Sequence, residues 1–217
     1  MITDHHSHVL PGVDDGVRTL DESLKILERL AAEGVEALWL TPHVMEDVPN
    51  RTEDLRKRFA ELQAAYEGPV RLHLAAEYML DSLFTERLEA RDLLPIGEHG
   101  DHLLVETSCF TPPMDLDGLL DRIRSAGYFP VLAHPERYFY MGRSDYRRLL
   151  EAGVKLQLNL GSPAGAYGRE VARKAKWLLR HGFYTIAGSD LHRERMVDTI
   201  LSWKHPRRVL PLLQNTL

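Results

Sequence analysis

Asp4-His5-His6-Ser7-His8-Val9-Leu10-Pro11-Gly12-Val13-Asp14-Asp15-Gly16 reads as a strand running into a turn, and it carries more metal-ligand chemistry than any other segment. Side chains at i and i+2 share a face of a strand, so His6 and His8 aim at one point while His5 and Ser7 face away. Pro11-Gly12 ends the strand, and the Asp14-Asp15-Gly16 turn is able to swing a carboxylate back over the strand end. Either aspartate suits that role on spacing alone. Imidazole nitrogens with carboxylate oxygens suit zinc, manganese or iron. His-x-His alone is a weak signal, because strand histidines commonly satisfy hydrogen-bonding or packing needs. The other strand ends decide its meaning.

Outward from this stretch, Thr19 and Glu22 form a capping-box pattern before a helix with Leu20, Leu24, Leu27 and Leu30 on one face, ending near Gly34. A buried strand follows over 36–41, closed by Pro42-His43. Thr52 is placed as the cap of a second helix over 52–67, with Leu55, Phe59, Leu62 and Tyr66 as its buried stripe. The third strand covers 70–76 and ends at Glu77, and helical structure occupies 81–91. A fourth strand over 102–105 ends at Glu106, ahead of a loop over 108–113 and a helix over 115–126. The fifth strand, 129–133, runs into His134-Pro135-Glu136-Arg137, and Ser144 is expected to cap the next helix, stopped by Gly153. The sixth strand spans 154–160, and an amphipathic helix covers 168–181. The seventh strand, 183–188, ends in Ser189-Asp190-Leu191-His192, and the tail over 195–217 is helical and divided by Pro206.

Seven strands alternating with helices, with no Gly/Ser-rich linker, predict one α/β domain over 1–217. Strands apolar on both faces fit a parallel sheet or a closed barrel. Polar residues cluster at one end of every strand but the sixth, which favours the barrel, whose active face is formed by the C-terminal strand ends. Reading those ends in order gives His6, His8 and Asp15, then His43, Glu77, Glu106, His134, and Asp190 with His192. Nine ligands exceed the three protein ligands that a catalytic zinc typically keeps, so two or three ions are implied, with Glu77 placed to bridge. Such a cluster lowers the pKa of bound water and clamps the attacking and leaving oxygens of an in-line displacement at phosphorus. Arg137, three residues past His134, can present its fork to phosphate oxygens, and Arg193 and Arg195 offer a second cation.

These residues resemble the polymerase-and-histidinol-phosphatase (PHP) superfamily, and within it the metal-dependent tyrosine-protein phosphatases encoded with bacterial capsule and exopolysaccharide genes. The matching segments are DHHSHVLPGVDDG at 4–16, TPH at 41–43, Glu77, Glu106, AHPERY at 133–138, GSPAGAYG at 161–168 and GSDLH at 188–192. The resemblance spans essentially the whole chain. It implies a distorted seven-stranded (β/α) barrel and a three-metal cluster, manganese foremost, with iron or zinc as alternatives. By that resemblance His6, His8, Glu77 and Asp190 surround one ion, His43, His134 and Glu77 hold a second, and Asp15, Glu106 and His192 a third. It favours Asp15 over Asp14, gives Arg137 the phosphate, and puts the second phosphate-binding arginine in the loop Arg193-Glu194-Arg195, with Arg195 the candidate. That loop is shorter than is usual in the family. The implied activity is hydrolysis of phosphotyrosine on a protein by attack of metal-bound hydroxide, the implied partner a bacterial tyrosine autokinase.

The bulk numbers agree with this. A formal charge of −5 and a pI near 6.1 disfavour a broad nucleic-acid-binding surface, and with it a nuclease of the same superfamily. No apolar run reaches membrane-spanning length and no signal segment is visible, so a cytoplasmic location with no membrane insertion is expected. Cys109 is the single cysteine, and the residue six beyond it is Asp115, so a Cys-x5-Arg phosphatase cradle is missing. A histidinol-phosphate-type phosphatase on the same metals is the main alternative; aromatic Phe110, Tyr138, Phe139 and Tyr140 near the expected mouth favour a phenyl phosphate. A catalytically silent, metal-stabilised scaffold is disfavoured by the surplus of ligands. His73 is expected to be buried and hydrogen-bonded, and His99, His102, His181 and His205 to be loop or surface residues. Trp39 and the Trp177-Leu178-Leu179 stretch are expected to pack.

Overall fold

The computed structural model describes residues 1–201 and 206–217, with the side chains of 199–208 left aside. His205 therefore lies outside the described residues. The elements run β1 (Thr3–Ser7), α1 (Leu20–Ala32), β2 (Ala37–Leu40), β3 (His43–Val44), α2 (Thr52–Ala65), β4 (Arg71–Leu74), β5 (Glu77–Met79), α3 (Ser82–Ala90) and β6 (His102–Glu106). They continue with α4 (Leu116–Ser125), β7 (Phe129–Ala133), a 3-10 turn (Pro135–Arg137), α5 (Arg143–Glu151), β8 (Lys155–Asn159), α6 (Arg169–Arg180), β9 (Ile186–Gly188), α7 (Met196–Leu201) and α8 (Pro206–Gln214).

All strand pairs are parallel, as βα alternation requires, and they form a curled α/β sheet in two pieces. One piece has the order β1-β2-β4, the other β3-β5-β6-β7-β8-β9. The expected second and third strands are each interrupted, so nine strands replace the seven. The first interruption is chemical: Pro42 has no N–H to donate to a ladder, and its carbonyl instead accepts from the Glu77 amide at 3.1 Å. The pieces are joined through Ala75-Ala76 between β4 and β5. On the other side a single parallel bridge, Ser7 to Leu191, brings the end of β1 against the segment after β9. Among the described residues the strand ladder runs in these two pieces, linked by that bridge into a curled half-barrel. Gly188 permits the approach of β9 to β1, since a Cβ there would lie 2.4 Å from His6 Cβ.

Strands buried on both faces and helices apolar on one follow the composition. In β1 all five residues are buried, including Asp4, His5 and His6. Thr19 caps α1 as expected, its hydroxyl accepting from the Glu22 amide at 3.2 Å. The buried face of α1 is Ser23, Ile26, Leu27 and Leu30, rotated from the expected leucine stripe: Ser23 donates to the Val9 carbonyl at 2.7 Å, and Leu20 is exposed. Leu55 and Leu62 are the buried residues of α2; Arg51 rather than Thr52 is its cap position. Likewise Gly142, not Ser144, precedes α5, with the Asp145 carboxylate accepting from its amide at 2.8 Å. Trp177 packs beside Phe183 and Tyr146, as its expected packing role requires. Among the described residues no helix is long and apolar enough to cross a membrane.

Candidate metal centre

The two sheet pieces bring the polar strand ends to one rim. His6 and His8 leave the end of β1 on the same side, and their Nε2 atoms stand 3.1 Å apart. Glu77, first residue of β5, puts Oε2 3.1 Å from His6 Nε2 and 3.3 Å from His8 Nε2. Asp190 puts Oδ1 3.5 Å from the first and 3.3 Å from the second. The four donor atoms all lie within 4.8 Å of one another. A tetrahedral cation with ligands at ~2.1 Å needs donor separations of about 3.4 Å, close to the five separations of 3.1–3.5 Å found here.

Two further groupings adjoin it. His43 Nδ1 lies 3.2 Å from Glu77 Oε2 and 3.1 Å from Glu106 Oε1. His134 Nε2 lies 3.0 Å from Glu77 Oε1 and 3.8 Å from Glu106 Oε2. Asp15 Oδ1 lies 3.6 Å from His43 Nε2 and 3.4 Å from His192 Nε2, and His8 completes this set. All nine expected ligands therefore come together. Glu106 sits with His43 and Glu77 rather than with Asp15 and His192, so the grouping differs there from the one the resemblance implies.

The electrostatics also call for cations. Asp14, Asp15, Glu77, Glu106 and Asp190 crowd around this rim with Arg137 as the guanidinium among them. Burial opposes charging Glu77, but the facing imidazoles of His6 and His43 outweigh it and hold its carboxyl well below the usual range. The Asp15 carboxyl is lowered to about 2, first by its bond to His192. Burial lowers the pKa of His6, yet Glu77 and Asp190 carry it up to about 9. His43 Nδ1 and His134 Nδ1 are buried without a hydrogen-bond partner, the former close to two carboxylates but not aligned with them. Lone pairs aimed at a cation explain the His43 geometry.

Behind the ligands lies a set of buried side chains that orient them. Asp14 is one. Its Oδ2 accepts from His8 Nδ1 at 2.7 Å and from the His43 amide at 3.0 Å, while Oδ1 accepts from the Gly16 amide at 2.8 Å. A carboxylate on the far nitrogen of a histidine fixes its tautomer and leaves Nε2 free to bind metal. Gly16 permits this fold-back, because a Cβ there would meet His8 at 2.3–2.5 Å. Gln157 Oε1 serves His6 Nδ1 at 3.1 Å and the His134 amide at 3.2 Å. Asn159 Nδ2 donates to Asp190 Oδ2 at 2.9 Å and to the Tyr167 hydroxyl at 3.1 Å. Both amides belong to β8, the strand whose polar content sequence reasoning passed over. They share one parity in Lys155-Leu156-Gln157-Leu158-Asn159, the same signal that marks His6 and His8.

Arg137 leaves the 3-10 turn and donates to Asp190 Oδ2 at 2.8 Å, with its guanidinium 4.6 Å from the centre of the Tyr167 ring. His134 and Asp190 both have positive φ, 34° and 53°, conformations that cost an L-residue about 1–2 kcal/mol. Such strain at two candidate ligands marks a functional site. Arg193 is engaged elsewhere, donating to the Gly16 and His192 carbonyls at 2.5 and 2.7 Å. Arg195 is exposed on the same loop. Of the four aromatics expected at the mouth, Phe110 and Phe139 are exposed and stacked at 5.4 Å. Tyr138 is instead fully buried, its hydroxyl donating to the Ala133 carbonyl at 2.9 Å, and Tyr140 is half-buried against the Thr107 hydroxyl. His73 is half-buried and stacked on Trp39 at 4.7 Å, away from the cluster.

The family model for capsular polysaccharide synthesis, CpsB/CapC, matches residues 2–199. The chain belongs to the CpsB/CapC family. Among curated members, the tyrosine-protein phosphatase CpsB of Streptococcus agalactiae is 27% identical over 208 residues, covering 87% of this chain and 82% of that protein. The tyrosine-protein phosphatase YwqE of Bacillus subtilis is 24% identical over 195 residues, covering 87% and 76%. The fold is that of solved CpsB/YwqE-type structures. One, from crystal structures of YwqE from B. subtilis and CpsB from Streptococcus pneumoniae described as metal-dependent tyrosine phosphatases, superposes with a TM-score of 0.82 at 23% identity, over 99% of this chain and 95% of that one. A lactonase of Listeria monocytogenes, Lmo2620, shares the fold more distantly, with a TM-score of 0.59 at 11% identity.

Proposed function

We propose that this CpsB/CapC-family chain is a metal-dependent protein-tyrosine phosphatase of capsular or exopolysaccharide synthesis, folded as one domain whose two sheet pieces act as a single distorted barrel. The observation that carries the reading is the four-donor cage of His6, His8, Glu77 and Asp190, extended by two adjoining sets that share His8, His43 and Glu77. Names of the relatives supply the substrate class.

In this reading the first cation would be held by His6, His8, Glu77 and Asp190, the second by His43, Glu77, Glu106 and His134, and the third by Asp15 and His192. Manganese foremost, with iron or zinc, suits such nitrogen and oxygen donors. When bound, these ions supply a deprotonated water as nucleophile and neutralise the phosphoryl oxygens. The chain's own residues do the rest. Arg137, anchored by Asp190 and backed by Tyr167, presents its free N–H groups to two phosphoryl oxygens. Arg195 provides a second, looser cation at the rim. The exposed Phe110–Phe139 stack, with Phe139 two residues beyond Arg137 in the chain and its amide donating to the Cys109 carbonyl at 2.8 Å, offers a platform for a phenyl ring. No side chain forms a phosphoenzyme.

A cytoplasmic bacterial tyrosine kinase is the proposed protein substrate. The experiment is a comparison of turnover of a phosphotyrosine peptide and of histidinol phosphate by the manganese-loaded chain. The reading expects preference for the peptide; preference for histidinol phosphate would move the chain to the small-molecule phosphatases.

A further inference from the structure

A cleft of about 400 Å³ opens between α5 and α6, away from the nine clustered ligands. Its lining includes Arg143, Arg173, Lys174 and Arg180 around the aromatic faces of Trp177 and Tyr146, with no acidic residue in the wall. For a chain of net charge −5 this is a marked local excess of positive charge. Arg173, Trp177 and Arg180 fall at i, i+4 and i+7 of α6 and so share one face. Arg143 lies over the Trp177 ring, 5.0 Å from its centre. Among the described residues the nearby ion pairs are Lys174 with Glu170 at 3.9 Å and Arg148 with Asp145 at 3.9 Å; Arg143, Arg173 and Arg180 have none.

The cleft is connected to the site. Residues 138–142 run directly from Arg137 to its wall, where Met141 and Gly142 contribute. Lys174 donates to the Tyr138 carbonyl at 2.8 Å and stands 5.9 Å from the Phe139 ring, which in turn stacks on Phe110. Five Cα–Cα steps join Arg137 to Gly142, so the span between them is at most ~18 Å. An extended peptide covers that span in no more than about six residues.

We propose that this cleft is a second recognition site, which holds acidic side chains located within about six residues of the phosphotyrosine of a peptide substrate. The assignment rests on the phosphatase reading for the identity of the substrate, while the charge and aromatic lining argue for an acidic peptide on their own. Guanidinium groups pair with carboxylates bidentately, and the Trp177 face holds Arg143 in place for that pairing.

Two measurements on the full chain test it. In the first, the manganese-loaded protein hydrolyses two phosphotyrosine peptides, one with glutamates from the second to the sixth position on either side and one with glutamines there, alongside p-nitrophenyl phosphate. The acidic peptide is expected to have the lower KM. In Arg173→Glu/Arg180→Glu that advantage is expected to fall by about tenfold and to appear in KM, with p-nitrophenyl phosphate turnover unchanged. In the second, a labelled, unphosphorylated acidic peptide is titrated onto the metal-free chain by fluorescence anisotropy. Salt-sensitive binding that the double substitution weakens is expected. Equal KM for acidic and neutral peptides together with no effect of the substitutions on binding overturns the proposal. Peptide binding without hydrolysis of any phosphotyrosine substrate keeps the cleft and refutes the phosphatase reading.

Discussion

Replacing Asp14 with Asn tests whether the buried shell behind the ligands sets metal affinity. Asp14 is adjacent to a candidate ligand but is not one: its carboxylate is buried and engaged by three N–H donors at 2.7, 3.0 and 2.8 Å, from His8, His43 and Gly16. An asparagine keeps the size and one oxygen. It can serve either His8 Nδ1 with the His43 amide, or the Gly16 amide, but its NH2 group then faces a donor. If the amide turns its nitrogen to His8, the imidazole loses the partner that holds its tautomer. Partners of this kind are worth about 10–100-fold in metal affinity, or ~1.4–2.7 kcal/mol. Losing a charged acceptor costs the metal-free fold a further ~2 kcal/mol. The assay is competition for manganese against a chelating dye, with urea denaturation of the metal-free protein alongside. Asp14→Asn is expected to bind manganese 10–100-fold more weakly while recovering most of its turnover at saturating metal. Asp15→Asn, which touches no such shell, is expected to lower turnover even at saturating metal. Unchanged affinity in Asp14→Asn would refute the orienting role.

Three other substitutions probe the site and the fold around it. Arg137→Lys keeps a positive charge but loses the planar fork, so kcat/KM for phosphotyrosine peptides should fall about 10²-fold with metal content intact by elemental analysis. Cys109→Ser should leave kcat/KM essentially unchanged; burial first of all raises the Cys109 thiol pKa, the opposite of what an activated nucleophile needs. His102 is held neutral: burial and then Lys155 lower its pKa below 6.5, with Nε2 accepting from Lys155 at 2.6 Å and Nδ1 donating to Asp101 at 2.6 Å. The unfolded chain therefore binds more protons in the window below about pH 6.5, so this residue's contribution to stability is lost as pH falls through it. His102→Gln should remove that loss, narrowing the gap to wild type in urea midpoints as the pH is lowered from about 7.5 to 5.5.

Much of the site was legible because its ligands sit at strand ends in chain order. His43 follows Pro42, His134 follows Ala133 at the end of β7, and Asp190-Leu191-His192 follow β9, so periodicity and breakers were enough to place these candidates at one rim. What was not legible depends on long-range geometry. Asp14 and Asp15 are equivalent on spacing alone; only the fold shows that the Asp14 carboxylate turns back onto His8 while Asp15 reaches toward His43 and His192. Glu106 faces His43 because β3 and β6 both flank β5, a sheet order that no local pattern encodes. Gln157 and Asn159 escaped notice because amides are weak ligand signals, although their parity on β8 was available. The split of the expected strands follows from Pro42 and from the Ala75-Ala76 step, where the ladder changes partners rather than ending. Tyr138 was expected at the mouth, but its ring is needed in the core, where the Thr107 amide donates to its hydroxyl at 3.3 Å.

The most direct test of the metal-centre account is one sample measured three times: as purified, after exhaustive chelation, and after manganese is restored, with bound metal and phosphotyrosine-peptide hydrolysis recorded together at each stage. The account predicts two or three ions per chain when loaded, loss of hydrolysis in step with loss of metal, and recovery on restoring it. Full hydrolysis by the metal-free chain would contradict it.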